Sequence, residues 1–490
     1  MVNKMNLSKS KYCAGVQCRK ILWLDKNYPE EREENKSESV LDNGKEVGIV
    51  ARDLFGPCVT IEFNTDLDKM VNDTKDTLTK HNVIAEASFI YNDNFCSIDI
   101  LKKDIDGYEI YEVKSSTEIK DIFLDDISYQ YYVVNNLGYK ITRACIVYLN
   151  SSYVRGKCLE LDKLFVVEDV TDIVISKQKE VEDNIREINE YVDEDSEKEE
   201  ILGMQCVTPY DCPYFKYCTK ELPERNVFTI RDMRKSSKFK LYQNGIYRYE
   251  DLLKEKINPK YKEQIEFELY DREDVIKEDE IRSFMETLSY PIYFLDFETY
   301  QQAIPEYEGI RPYMQIPFQY SLHYLEEESG TLKHKEFLAD SSIDPRRTLA
   351  EKLVSDIPLD VCTVAYNMKF EKMVIKNLAD LYPDLSDHLM NIYENMKDLM
   401  IPFYNRSYYT KDMKGSYSIK YVLPALFPND ESLNYKNLDL IHNGSEAMSA
   451  FANLGSLSKD EQENIRYNLL KYCELDTYAM VKIWERLKEI

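Results

Sequence analysis

The stretch "YFLDFETY", residues 293–300, sets Asp296 and Glu298 inside an apolar and aromatic run. Two residues apart on a strand, their carboxylates face the same way. Left bare, such a pair loses hydration and repels itself. A divalent cation reverses that sign, so further ligands are needed. "AYNMKFEKMVIKNLA", residues 365–379, places Asn367, Phe370 and Glu371 where a strand pattern gives way to a helical one. "KYCELDTYAM", residues 471–480, carries Tyr472 and Asp476 four apart, on one helix face. Asp296, Glu298, Glu371 and Asp476 together can hold two divalent ions about 4 Å apart, the geometry of in-line phosphoryl chemistry. One ion would activate water and the other would stabilise the leaving oxygen, with Tyr472 orienting or deprotonating the water. Asp476 alone is the ordinary solvated helix residue. Asp296 has no such structural account, because Leu295 and Phe297 flank it in a run that reads as buried.

A second set lies in "CSIDILKKDIDGYEIYEVKSS", residues 96–116. Asp106-Gly107 is a two-residue hairpin signal between strand-like runs. With those residues as the loop, Asp99 faces Lys114 and Leu101 faces Glu112, which puts Asp99, Glu112 and Lys114 on one side of the sheet. The two carboxylates can hold Mg²⁺ or Mn²⁺, and the lysine can hold the attacking water or stabilise developing charge. The same trio also fits a solvated hairpin face with a cross-strand ion pair.

A third set is the evenly spaced Cys206, Cys212 and Cys218 in "C-VTPYD-C-PYFKY-C". Short loops rich in Pro and aromatics suit thiolates that converge on a soft metal. Cys18 in "AGVQCRKILWL" is the first candidate for a fourth ligand and Cys13 the second. Cys58, Cys96, Cys145, Cys158, Cys362 and Cys473 read as small core residues.

The hairpin set resembles the PD-(D/E)XK nuclease core in its RecB-like branch. The resemblance implies supporting roles for Glu86 in "IAEASF", as an acidic ligand, and for Gln130 in "DDISYQYYVVNNLG". The branch's early histidine has no counterpart in "NGKEVGIVARDLFG", where Glu46 stands as a substitute; His81 sits by a polar loop. One upstream cysteine plus three after the core is similar to the iron–sulfur members of that branch. It implies a [4Fe–4S] cluster on Cys18, Cys206, Cys212 and Cys218, with zinc as the alternative on the same ligands. "FLDFET", "YNxxFE" and the Tyr472/Asp476 pair resemble the three motifs of DnaQ-like (DEDD) exonucleases on a ribonuclease H-like fold, with Glu371 where many members have aspartate. Asp398 in "MKDLMIPF" is a lesser candidate. Ser416, Ser418 and Lys420 would cap a helix or touch a phosphate. The whole chain resembles a little-characterised bacterial family fusing the two domains. The resemblance implies a metal-dependent nuclease with two centres, acting on single-stranded DNA from its ends, with RNA possible. The alternatives are an exoribonuclease and a non-catalytic or single-centre nucleic-acid-binding scaffold.

These residues need elements to hold them. The expected class is α/β, with a RecB-like domain at 1–222, a basic helical linker at 223–285 and a mixed-sheet DnaQ-like domain at 286–490. "SIDILKK", "YEIYEVK", "TRACIVYL", "PIYFLDF", "QIPFQYSLHYL" and "CTVAYN" read as strands. Residues 179–200 carry 11 acidic and 3 basic residues, with Val181, Ile185, Ile188 and Val192 at helical spacing. Residues 228–263 hold ten Lys or Arg against five Asp or Glu, a net +5, and resemble a helix-hairpin-helix linker. A chain of 490 residues suits two or three domains. Its net charge of −26 disfavours broad binding to a polyanion without metal ions or a local basic track. No Walker-type loop occurs. No apolar run is long enough for a bilayer and the N-terminus has no apolar signal core, so a cytoplasmic, non-membrane protein is expected.

Overall fold

The computed structural model describes residues 7–33, 38–270 and 272–490, with the side chains of residues 38–43 left aside. The chain is mixed α/β and divides into two units. One comprises residues 1–228, 234–247 and 302–313; the other comprises residues 229–233, 248–301 and 314–490. The basic segment 228–263 is thus divided between them. It contains the helix Lys235–Gln243, a turn through Gly245 at φ +77°, and the helix Tyr249–Leu252.

The first unit is built on a seven-stranded mixed sheet. Its strands are β1 (Leu7–Ser8), β2 (Val59–Thr60), β3 (Val83–Tyr91), β4 (Asn94–Lys103), β5 (Tyr108–Lys114), β6 (Ile141–Leu149) and β7 (Phe165–Asp169). Strands β2 to β7 follow in spatial order and β1 pairs with β4. Strands β5 and β6 run parallel, which requires a crossover; α3 (Asp121–Asn136) supplies it. Helices α1 (Lys9–Gln17), α3 and α4 (Gln178–Val192) pack over one core with Ile98, Leu101, Ile110 and Ile127. Val181, Ile185, Ile188 and Val192 form the buried stripe of α4, as their spacing requires. Helix α2 (Arg19–Asn27) follows α1 and contacts both α1 and α4.

The hairpin register differs from the one that Asp106-Gly107 implies. Lys103 pairs with Tyr108 and Ile100 with Tyr111, so the loop is residues 104–107 and Asp99 comes opposite Glu112 rather than Lys114. Asp104 N–H donates to Gly107 O, closing the longer loop. The slip is two residues, and an even slip keeps Asp99, Glu112 and Lys114 together on one face.

The second unit has a five-stranded sheet in the order β11-β10-β9-β12-β13. Its strands are β9 (Ile292–Tyr300), β10 (Ile316–Leu325), β11 (Lys333–Leu338), β12 (Cys362–Ala365) and β13 (Met396–Asp398). The first three are antiparallel, whereas β9, β12 and β13 are parallel. A two-stranded ladder pairs β8 (Val275–Ile276) with β14 (Tyr408–Tyr409). Helix α5 (Lys369–Leu381) follows β12, and α6 (Lys459–Lys488) closes the unit. A capping box of Ser458 and Glu461 starts α6, and Leu469, Cys473, Ala479, Met480, Ile483 and Leu487 are among its buried residues.

Candidate functional site

In the second unit, β9 presents Asp296 and Glu298 on one face. The ladder slips opposite them, between Pro317 and Gln319 of β10, and Gln319 pairs with Glu298. Proline has no N–H for the ladder, so a bulge there is expected. Glu371 comes from the first turn of α5, where the positive helix end favours a carboxylate. The turn into α5 passes through Asn367, held at φ +64°, and Asp398 Oδ1 accepts hydrogen bonds from the N–H groups of Asn367 and Met400. Asp398 is therefore a turn-former. Helix α6 supplies Tyr472 and Asp476.

Asp296, Glu298, Glu371 and Asp476 feel one another's charge. Burial first, then Asp476, Glu298 and Glu371, hold the Asp296 carboxyl well above its ordinary range. Burial and Asp476 do the same to Glu298, against the relief that Lys420 offers. Burial pushes Glu371 up to about 8 and Asp476 up to about 6. Asp476 accepts a 2.6 Å hydrogen bond from Tyr435 Oη, and the Tyr472 hydroxyl also favours its charged form. Glu371 Oε2 is buried with no hydrogen-bond partner. Among the described residues, no lysine or arginine pairs with any of the four. Lys420 is exposed and acts only through its field, and Ser418 occupies the N-cap of its helix without a side-chain capping bond.

Two residues here escaped the sequence. Tyr435 sits in a short 3₁₀ turn among polar residues, where no periodicity marks it. Cys473 is fully buried, as expected of a core cysteine, yet Asp296, Glu298 and Cys473 offer ligand atoms within 4.8 Å of one another. This donor set fits divalent cations, whose charge would keep all four carboxyls ionised.

The first unit gathers Asp99, Glu112, Lys114 and Gln130 with two unexpected partners, Lys9 and Asp126. Lys9 Nζ lies 3.4 Å from Asp99 Oδ1 and 2.9 Å from Glu112 Oε1. Lys114 Nζ lies 2.6 Å from Glu112 Oε1 and also donates to Asp126. Gln130 Nε2 donates to Glu112 Oε2 at 2.6 Å and to Asp126 Oδ1 at 3.0 Å, while its Oε1 is buried without a partner. Burial would lower both ammoniums, but the surrounding carboxylates hold them above the ordinary lysine range. Asp126 lies one turn before Gln130 on α3, a spacing that the sequence displays. Lys9 lies 90 residues before Asp99 and carries no local signal.

The backbone breaks pattern here. Glu86 has φ +58°, an uncommon conformation for a residue with a side chain. Ile98 and Leu101 flank Asp99 yet join the same core, so strand alternation fails at the acid. Glu86 accepts from Arg52 Nη2 at 3.1 Å, and burial followed by the Asp99 charge raises its proton affinity. Glu46 does not join the set: it is exposed, and the charge acting on it is that of Glu306. His81 is exposed as well.

Cys206 and Cys212 are buried with Ile21, Trp23, Leu24 and Tyr214, and Cys18 and Cys218 pack against that cluster. Gln17 Nε2 donates to Gln205 O at 2.8 Å and Tyr210 O at 2.7 Å, tying the α1–α2 junction to the cysteine loop. Burial raises all four thiols, Cys212 to about 12, and backbone N–H groups of Lys20 and Ile21 turn on Cys18. Among the described residues, the four thiols do not form a group whose ligand atoms all lie within 4.8 Å of one another. Cys13 packs against the sheet core rather than with the cysteine cluster. Cys158 is exposed and is not a core residue.

Among the described residues, no helix is long and apolar enough to cross a membrane. No solved structure matches the chain. Two curated relatives match part of it. An uncharacterised protein of Ureaplasma parvum serovar 3 is 26% identical over 263 residues, covering 49% of this chain and 37% of its own length. An uncharacterised protein of Mycoplasma genitalium is 28% identical over 208 residues, covering 39% of this chain and 31% of its own length. The chain thus spans about a third of each relative. A family described as a domain of unknown function, DUF2779, matches residues 293–418, the stretch that carries Asp296, Glu298 and Glu371.

Proposed function

We propose that the chain is a metal-dependent nuclease whose principal centre is the Asp296, Glu298, Glu371 and Asp476 cluster. The observation that carries this reading is four mutually repelling carboxylates, Glu298 and Glu371 buried and Asp296 and Asp476 half-buried, without a basic partner among the described residues. Such a cluster stays ionised only around cations. Mg²⁺ or Mn²⁺ bound there would polarise a scissile phosphate and acidify water. Tyr435 donates to Asp476, the Tyr472 hydroxyl also favours its charged form and would orient the water, and Glu371 is set by the turn at Asn367. The five-stranded mixed sheet with α6 against it is in keeping with a DnaQ-like, ribonuclease H-like domain. A 3′–5′ exonuclease acting on single-stranded DNA is the favoured activity, with RNA as the second substrate class. The basic segment 228–263 offers positive charge for phosphates in an otherwise acidic chain.

The first unit supports a RecB-like, PD-(D/E)XK centre of Asp99, Glu112 and Lys114, with Glu86 and Gln130 around it. The thiols of Cys18, Cys206, Cys212 and Cys218 would hold a [4Fe–4S] cluster, or zinc, as a structural group. One observation favours a narrower role: Lys9 and Lys114 already balance much of the charge of Asp99, Glu112 and Asp126. A unit so balanced can bind nucleic acid without hydrolysing it. End-labelled single-stranded DNA and RNA, incubated with Mg²⁺ or Mn²⁺ and with Asp296→Ala or Asp99→Ala protein, separate these readings. Two activities lost separately mean two centres. Loss only with Asp296→Ala leaves the first unit as a binding module. Degradation untouched by either substitution removes the nuclease reading.

A further inference from the structure

Outside the carboxylate centre, the second unit holds a different set of metal-ligating side chains. His323 of β10 and His334 of β11 are directly paired across the ladder. Their rings stack at 4.4 Å between centroids. Each imidazole is already oriented by a hydroxyl: His323 Nδ1 lies 2.8 Å from Thr477 Oγ1, and His334 Nε2 lies 2.9 Å from Ser321 Oγ. Those hydroxyls bond each other at 2.6 Å, so the chain His334–Ser321–Thr477–His323 is continuous. Glu474 of α6, three residues before Thr477, brings its carboxylate to the rings. His323, His334 and Glu474 each offer a ligand atom within 4.8 Å of the other two.

We propose that His323, His334 and Glu474 form a binding site for a borderline-soft divalent ion of the Zn²⁺ class. Two imidazoles and a carboxylate are a ligand set suited to such ions, whereas Mg²⁺ prefers oxygen alone. The hydroxyls act as the outer partners that fix ring orientation in metal-binding histidines. Among the described residues, Lys471 alone engages the Glu474 carboxylate, at 2.7 Å in a partly exposed pair that costs little to break. Bound there, the ion fastens the β10–β11 pair to α6. Glu474 lies two residues from both Tyr472 and Asp476, so the ion would brace the helix that carries them. The site stands whether or not the carboxylates are catalytic.

The test uses the full chain and Zn²⁺ as the probe. Crystals grown with Zn²⁺ should show an anomalous peak about 2.0–2.2 Å from one nitrogen of each histidine and from a Glu474 oxygen. In solution, with excess Mg²⁺ holding the oxygen sites, calorimetry should show one class of Zn²⁺ binding weakened by more than about 100-fold in His334→Ala. Thr477→Val should weaken it by about 10–100-fold, as expected of an outer partner. If His334→Ala fails to fold, Glu474→Gln carries the same test, because Glu474 lies partly exposed on α6. A map without density between the two histidines overturns the assignment, and so does Zn²⁺ binding identical in wild type, Glu474→Gln and Thr477→Val.

Discussion

The two carboxylate clusters solve the same electrostatic problem in opposite ways. In the first unit, Asp99, Glu112 and Asp126 are interleaved with Lys9 and Lys114, and Gln130 donates to two of the three acids. In the second, Asp296, Glu298, Glu371 and Asp476 repel one another, with tyrosine hydroxyls and the field of Lys420 for relief. The first is a network whose charges the folded chain balances with its own lysines, with Gln130 Oε1 as the atom left unpartnered. The second is incomplete as protein alone. Buried charges without partners are among the most costly features a fold can keep, so their presence points to a ligand that cancels them.

The largest expected effects test that contrast through stability. Glu112→Gln removes the carboxylate that Lys9 and Lys114 share while Asp99 and Asp126 stay beside them, so it should destabilise by somewhat less than the about 3–5 kcal/mol of a fully broken buried pair. Asp296→Asn removes one of several repelling charges and should stabilise the metal-free chain near pH 8. Urea unfolding in the presence of a chelator checks both signs. Equal destabilisation by the two substitutions would dissolve the distinction between the clusters. With Mg²⁺ or Mn²⁺ present, Asp296→Asn should also slow strand degradation by more than about 10²-fold, at least the loss seen when one transition-state donor is removed.

The next effect is on pH dependence. Glu371 has its folded value raised from 4.5 to about 8, and Asp476 from 3.8 to about 6. A carboxyl raised on folding binds its proton more tightly in the native state. Its contribution is full below the unfolded value and is lost as pH rises through the folded one. The metal-free second unit should therefore lose stability between about pH 4 and pH 8. Divalent ions hold the carboxylates ionised, so the rise in melting temperature on adding Mn²⁺ should grow across that same window. A Mn²⁺ increment that is flat with pH would mean that the ion binds elsewhere. Lys9→Ala sharpens the comparison from the other side, since it leaves the first cluster short of a cation and should raise its Mn²⁺ affinity.

What the sequence revealed, and what it hid, follows the range of each interaction. Asp296 with Glu298, and Tyr472 with Asp476, are set by the periods of single elements, so alternation and the helical turn were enough. Asp99, Glu112 and Lys114 needed one hairpin, and a register wrong by two residues still put them on one face. Asp126 was legible one turn from Gln130 but lay outside the quoted resemblance. Lys9 was not legible, because its position depends on α1 reaching Asp99 across 90 residues. Tyr435 arrives from an irregular segment. The facing of His323 and His334 depends on β10–β11 pairing across a connection that has no two-residue turn signature. The mixed α/β class followed from the alternating strand and helix patterns.

The smallest effect concerns Tyr435. Its hydroxyl donates to Asp476 at 2.6 Å, while the Tyr472 hydroxyl also favours the same charged carboxylate. Tyr435→Phe keeps the ring and deletes one hydrogen bond to a charged group, worth about 1.5–3 kcal/mol at most. Tyr472 and a bound cation both compensate, so strand degradation at saturating Mg²⁺ should fall only a few-fold. Below saturation the loss should be larger, because Asp476 then holds its proton more tightly and competes with the metal. The pH at which activity reaches half its maximum should move upward for the same reason. Tyr472→Phe, acting on the same carboxylate, should shift that midpoint in the same direction and also lower the rate at saturating metal, because its hydroxyl is assigned to the water. Identical profiles for the two variants would mean that neither tyrosine touches the water and that both serve only to hold Asp476.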